Sequence, residues 1–98
     1  MSVTEAQPAG AAFAVEQAWQ LNPQVALRDE AFGALAYHYG NRRLTFLKSR
    51  QLTRIVESLG EHPSVDAALQ ANGVSDAQRP AILRALARLE TSEVIGAR

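Results

Sequence analysis

Ninety-eight residues with ten Lys+Arg against ten Asp+Glu make a neutral chain with room for one domain and one small core. Neutrality argues against strong non-specific attraction to nucleic acid or anionic membrane. The lack of cysteine excludes disulfides, thiolate metal sites and iron–sulfur ligation within the chain.

No run nears the ~18 consecutive apolar residues that span a bilayer. The start, MSVTEAQPAGAAFAVEQ, lacks the basic and continuous apolar regions of a secretion signal, so a cytoplasmic location without a membrane partner is expected. Residues 1–12 are small, polar and Pro-containing and are expected to form a disordered arm, with 13–95 forming a single domain. Phe13, Val15, Trp19 and Leu21 supply apolar anchors before Pro23, and Trp19 is expected to dock on the body.

The run VALRDEAFGALAYHYGNRRLTFLK, Val25 to Lys48, reads as a three-stranded antiparallel meander. A first strand over about Gln24 to Arg28 puts Val25 and Leu27 toward the core, Asp29 to Phe32 connect, and Gly33 opens the second strand. Tyr39-Gly40-Asn41-Arg42 predicts a two-residue primed turn, with Gly40 and Asn41 in positive φ. Pairing outward from it sets Tyr37 opposite Leu44 and Leu35 opposite Phe46. These four form one apolar face, expected to be the covered one. Ala34, Ala36, His38, Arg43 and Thr45 form the other, expected to be wet. Tyr39 and Arg42 are expected to be the hydrogen-bonded pair beside the turn, so Arg43, Thr45 and Leu47 turn their N–H and C=O groups outward along the last strand. Such an edge accepts an added strand.

From Ser49 the apolar period changes to about 3.6. Leu52, Ile55, Val56 and Leu59 mark a first helix ended by Gly60. Ser64 caps a second, with Val65, Ala68 and Leu69 inward and Asn72-Gly73 at its end. Ser75 to Gln78 has capping-box spacing, but Pro80 places the main third helix near itself, with Ile82, Ala85, Leu86 and Leu89 as its stripe. Val94 and Ile95 add a short terminal extension. The fold class is α+β: a winged helix-turn-helix-like body, its three-stranded meander followed by three short helices.

No chemistry stands out. His38 is read as a surface histidine and His62, before Pro63, as a loop residue, since neither has a second metal ligand at suitable spacing. Asp29 and Glu30 are adjacent and lack the gap of a two-carboxylate catalytic pair. Ser49, Ser64 and Ser75 are explained as caps. No catalytic, cofactor-binding or metal residue is assigned.

Charge is uneven. No Asp or Glu lies between Ala31 and Val56, a stretch holding Arg42, Arg43, Lys48, Arg50 and Arg54. Arg42, Lys48, Arg50 and Arg54 are candidates for steering an acidic ligand, although an ordinary solvated basic face fits them as well. A DNA-binding winged helix is the alternative. Its third helix would carry Arg79, Arg84 and Arg88 but little Asn, Gln or Ser to read bases.

The string GALAYHYGNRRLTFLKS, preceded by VALRDEAF, closely resembles the peptide chaperones of mycofactocin biosynthesis, within the PqqD-like family of recognition elements for ribosomally made, modified peptides. The resemblance spans Trp19 to about Leu89 and is densest from Val25 to Leu47. It implies a PqqD-like peptide-binding domain that is not an enzyme and needs no cofactor. Its partners would be a precursor peptide and a radical S-adenosylmethionine maturase, not nucleic acid. It also implies a leader added as a strand beside the third helix. On that basis Arg43, Leu44, Thr45, Phe46, Leu47, Arg79, Ile82, Leu83 and Leu86 are the candidate peptide contacts. On periodicity alone Leu44, Phe46, Ile82 and Leu86 read more readily as core.

Overall fold

Alternating β-favouring residues between Val25 and Leu47 build the central sheet. In a computed structural model, which describes residues 15–98, its strands are β2 (Val25–Glu30), β3 (Gly33–His38) and β4 (Leu44–Leu47), in the order β2-β3-β4. The expected arm at 1–12, and Phe13, lie outside the described residues. The register is the expected one: Leu35 faces Phe46 and Tyr37 faces Leu44. The β2–β3 connection is tighter than expected, because Glu30 already pairs with Gly33 across Ala31 and Phe32.

The second turn differs from its expectation. Four residues, Tyr39 to Arg42, separate His38 from Arg43, and the positive φ (62°) falls on Arg42. Side chains stabilise this wider turn. His38 Nδ1 accepts from the N–H groups of Gly40 (3.0 Å) and Asn41 (3.1 Å), and Asn41 Oδ1 accepts from the Arg43 N–H (2.9 Å). A Cβ on Gly40 would meet Gln24 Oε1 at 2.6 Å and His38 Cε1 at 2.8 Å, so close approach is the reason for glycine here.

The covered face is the opposite of the one expected. Ala34, Ala36, His38 and Leu47 are at most 4% exposed, whereas Tyr37, Leu44 and Phe46 are exposed. Small side chains let a helix approach the sheet closely. α1 (Arg50–Ser58) lies against β3 and, with the 3-10 turn Leu59–Glu61, contributes Ile55, Val56 and Leu59, all at most 1% exposed. Each such side chain stabilises the fold by roughly 1.5–3 kcal/mol relative to exposure. His38 is therefore buried rather than a surface residue. Besides the turn it approaches Asn22 Nδ2 (3.3 Å) and a Glu93 carboxylate oxygen (3.7 Å) through Nε2.

The helices follow their caps. Ser49 Oγ accepts from the Leu52 N–H to start α1, which runs into the 3-10 turn rather than stopping at Gly60. Ser64 caps α2 (Val65–Ala71), which buries Val65, Ala68 and Leu69 and ends at Asn72, with Gly73 at φ 70°. Ser75 and Gln78 exchange side-chain bonds in a separate turn, and α3 (Arg79–Thr91) begins with Pro80 in its first turn.

A second, two-stranded sheet was not foreseen. β1 (Trp19–Leu21) pairs antiparallel with β5 (Ile95–Ala97), which brings the buried Trp19, Val94 and Ile95 into the core. Arg98 fastens this end by donating to the Gly60 and His62 carbonyls (2.9 and 3.1 Å).

Candidate functional site

Two hydrogen bonds set the phase of the central ladder. The His38 N–H donates to the Arg43 carbonyl (2.9 Å), and the Tyr39 N–H donates to the Gln24 carbonyl (2.8 Å). Backbone groups alternate sides along an antiparallel strand. Ala34, Ala36 and His38 thus bond β4, and the odd-numbered residues of β3 bond β2. Their partners Thr45 and Leu47 turn inward to β3. The groups left outward on the open edge belong to Leu44 and Phe46, not to Arg43, Thr45 and Leu47. The reversal follows from the four-residue turn, which makes His38–Arg43, and not Tyr39–Arg42, the pair that closes the ladder.

Beside this edge the stripe of α3 is only half closed. Leu86 and Leu89 are buried, but Ile82 and Ala85 remain half-buried because β4 is the last strand of the sheet and no further described strand covers them. They line a cleft of about 420 Å³ with Thr45, Phe46, Leu52 and Leu89. Lys48, Arg88 and Ser92 also line it, and Lys48 and Arg88 are exposed without an ion-pair partner among the described residues. The cleft offers apolar walls, unpaired strand groups along one side and two cations. It holds no paired acid and base, and the described residues contain no cluster of three or more metal-ligating side chains. No described helix is long and apolar enough to cross a membrane.

The structure sorts the candidate contacts. Thr45, Phe46 and Ile82 come together in the cleft, and Leu44 lies farther along the same edge. Leu47 and Leu86 are 0% exposed and belong to the core, and Arg43 sits at the hairpin end. Leu83 opens instead into a depression along the other side of α3 with Pro80 and Ala87. Arg79 lines that same depression and is held by Asp66 at 2.5 Å.

Of the steering candidates, Lys48 is at the cleft and Arg42 at the turn, whereas Arg50 and Arg54 share a depression with Asp29, Glu30 and Glu57 that offsets their charge. Leu52, Ala85, Arg88 and Ser92 were not foreseen as cleft residues. The signal was the i+3/i+4 continuation from Ile82 through Ala85, Arg88, Leu89 and Ser92, which marks one face of α3.

The profile of the peptide chaperone MftB family matches residues 18–96, from just before β1 into β5. The chain belongs to that family. Proteins named Peptide chaperone MftB are similar over most of their length. The one from Mycobacterium ulcerans (strain Agy99) is 43% identical over 91 residues, covering 93% of this chain and 84% of the relative. That of Mycolicibacterium smegmatis (strain ATCC 700084 / mc(2)155) is 46% identical over 83 residues, covering 85% of this chain and 81% of the relative. That of Mycobacterium tuberculosis (strain ATCC 25618 / H37Rv) is 41% identical, covering 85% and 76%. No solved structure matches the chain. The family's matched span includes the whole central sheet, the cleft and the helix that walls it.

Proposed function

We propose that this chain is a non-catalytic chaperone that holds the mycofactocin precursor peptide as an added strand on the β4 edge and hands it to a radical S-adenosylmethionine maturase. The carrying observation is the outward-facing backbone of Leu44 and Phe46 beside the half-open stripe of α3. Strand addition draws affinity from main-chain hydrogen bonds and register from side-chain pockets. Directly opposed residues share a face, so peptide residues opposite Thr45 and Leu47 project into the cleft against Leu52, Ile82, Ala85 and Leu89. Apolar residues suit those positions. Lys48 and Arg88 favour carboxylates flanking them and speed encounter more than they tighten the complex, because screening at ~0.15 M salt acts over about 8 Å. Family membership supports the chaperone role, and the absence of Asn and Gln from α3 leaves the DNA-reading alternative without the amides that read adenine.

Proline on the edge tests the pairing. Phe46→Pro deletes an outward donor, which an edge strand tolerates, while Phe46→Val keeps it. Circular dichroism should show both folded, and titration with the precursor peptide should find the proline variant weaker by about tenfold or more, as expected for lost main-chain bonding. Thr45→Pro removes a donor to β3 and should damage the fold instead. Equal peptide affinity of Phe46→Pro and Phe46→Val would place the peptide elsewhere.

A further inference from the structure

Apart from Phe46 at its edge, the aromatic residues on the sheet face turned away from the helices lie outside the cleft, and that face is built like an interface. Phe32 packs against Phe46 (ring centroids 5.9 Å), and Tyr39 meets Tyr37 edge-on (5.3 Å). With Leu44 these residues are 36–62% exposed. At 150–250 Å² per aromatic side chain, they present on the order of 500 Å² of largely apolar surface. A monomer's largest apolar patch is typically about 300–600 Å² and often functional. One side of a standard interface is about 800 Å², a little over half of it apolar, so the apolar part of such an interface is already in place.

Charge selects the occupant. Arg42 lies at the hairpin end of the patch and Lys48 toward the other, whereas Arg50, which donates to the Ala31 carbonyl (3.5 Å), is offset by Asp29, Glu30 and Glu57 and does not count toward the rim. The single carboxylate on this face among the described residues, Glu30, is held by Arg28 at 2.9 Å. A second copy docked about a twofold axis would therefore bring the Arg42 and Lys48 ends together, with no unpaired carboxylate on this face among the described residues to answer them. A partner with an apolar centre and a carboxylate rim fits.

We infer that this face is the docking surface for the modifying enzyme, which meets it with an apolar patch rimmed by Asp and Glu. The inference rests on the proposed handover of peptide and adds where the enzyme binds. Peptide residues opposite Leu44 and Phe46 would extend the same face. The enzyme thus contacts chaperone and peptide on one continuous surface and binds the loaded complex more tightly than the empty chaperone.

The test is the double variant Phe32→Ser/Tyr37→Ser, whose changed side chains lie outside the cleft. The full chain is titrated separately with the precursor peptide and with the purified radical S-adenosylmethionine maturase, and sedimentation reports self-association. Expected are a monomer throughout, peptide affinity within about twofold of wild type, and maturase affinity lower by about tenfold or more. A maturase that binds wild type no better than the variant overturns the inference. So does a wild-type dimer that the variant abolishes, which would make a second copy the occupant. Loss of maturase binding in the variant, together with a wild-type chain that ignores the peptide, would sink the proposed function and leave the docking surface standing.

Discussion

On the helix side of the central sheet, Ala34, Ala36 and Leu47 are at most 1% exposed, whereas on the other side Tyr37, Leu44 and Phe46 are 36–56% exposed. The same three strands carry both faces. The side with the smaller residues is buried, and the side with the larger, more apolar ones faces solvent. The difference teaches that burial here is limited by room as well as by hydrophobicity. A helix can approach a sheet surface of Ala only if nothing larger stands in its way, and α1 with the 3-10 turn after it fills that space with Ile55, Val56 and Leu59. The aromatic face is left open, an apolar patch of a size that is often functional.

The largest expected effect comes from filling the tight face. Ala36 is 1% exposed, and Ala36→Leu should lower stability by about 3 kcal/mol through overpacking, read as a shifted denaturant midpoint. A midpoint unchanged by Ala36→Leu would mean that the helices do not seat on this face. Next is His38→Ala on the same face. It strips the acceptor from two turn N–H groups and leaves a small void, and should cost about 2 kcal/mol. Since the turn sets the phase of the ladder, amide exchange should also rise at Gly40 and Asn41 in that variant. Unaltered exchange there would show that the His38 ring does not cap the turn. The smallest effect belongs to the open face. Tyr37→Thr keeps a strand-favouring shape and should stay within about 0.5 kcal/mol of wild type. A loss comparable with that of Ala36→Leu would reverse the assignment of the two faces.

Much of this architecture was legible. Strand register needed only the alternation around a turn, and the α2 and α3 boundaries needed only Ser64, Asn72-Gly73 and Pro80, because caps and breakers act within a few residues of themselves. The dense string from Val25 to Leu47 also carried the family resemblance. The pairing of β1 with β5 was not legible, since three-residue strands more than 70 positions apart carry no local signal. Of the residues read as peptide contacts, Thr45, Phe46 and Ile82 line the cleft, and others fall elsewhere because exposure on α3 depends on where β4 ends. Leu83 and Ile82 are chain neighbours that open on opposite sides of that helix.

What the sequence determined by itself was therefore local: which residues pair across the meander, where helices start and stop, and which side chains share a face. Tertiary structure decided which face is covered and which edge groups are free. Alternation divides a strand into two faces without saying which one a helix will occupy. That choice depended on α1, which begins more than ten residues beyond Ala36 and lies against β3 and β4. The free edge depended on a single turn, where a buried histidine ring accepts two N–H groups and a four-residue loop replaces a two-residue one. Because hydrogen-bonding direction alternates along a strand, that change moved the outward groups from Thr45 and Leu47 to Leu44 and Phe46.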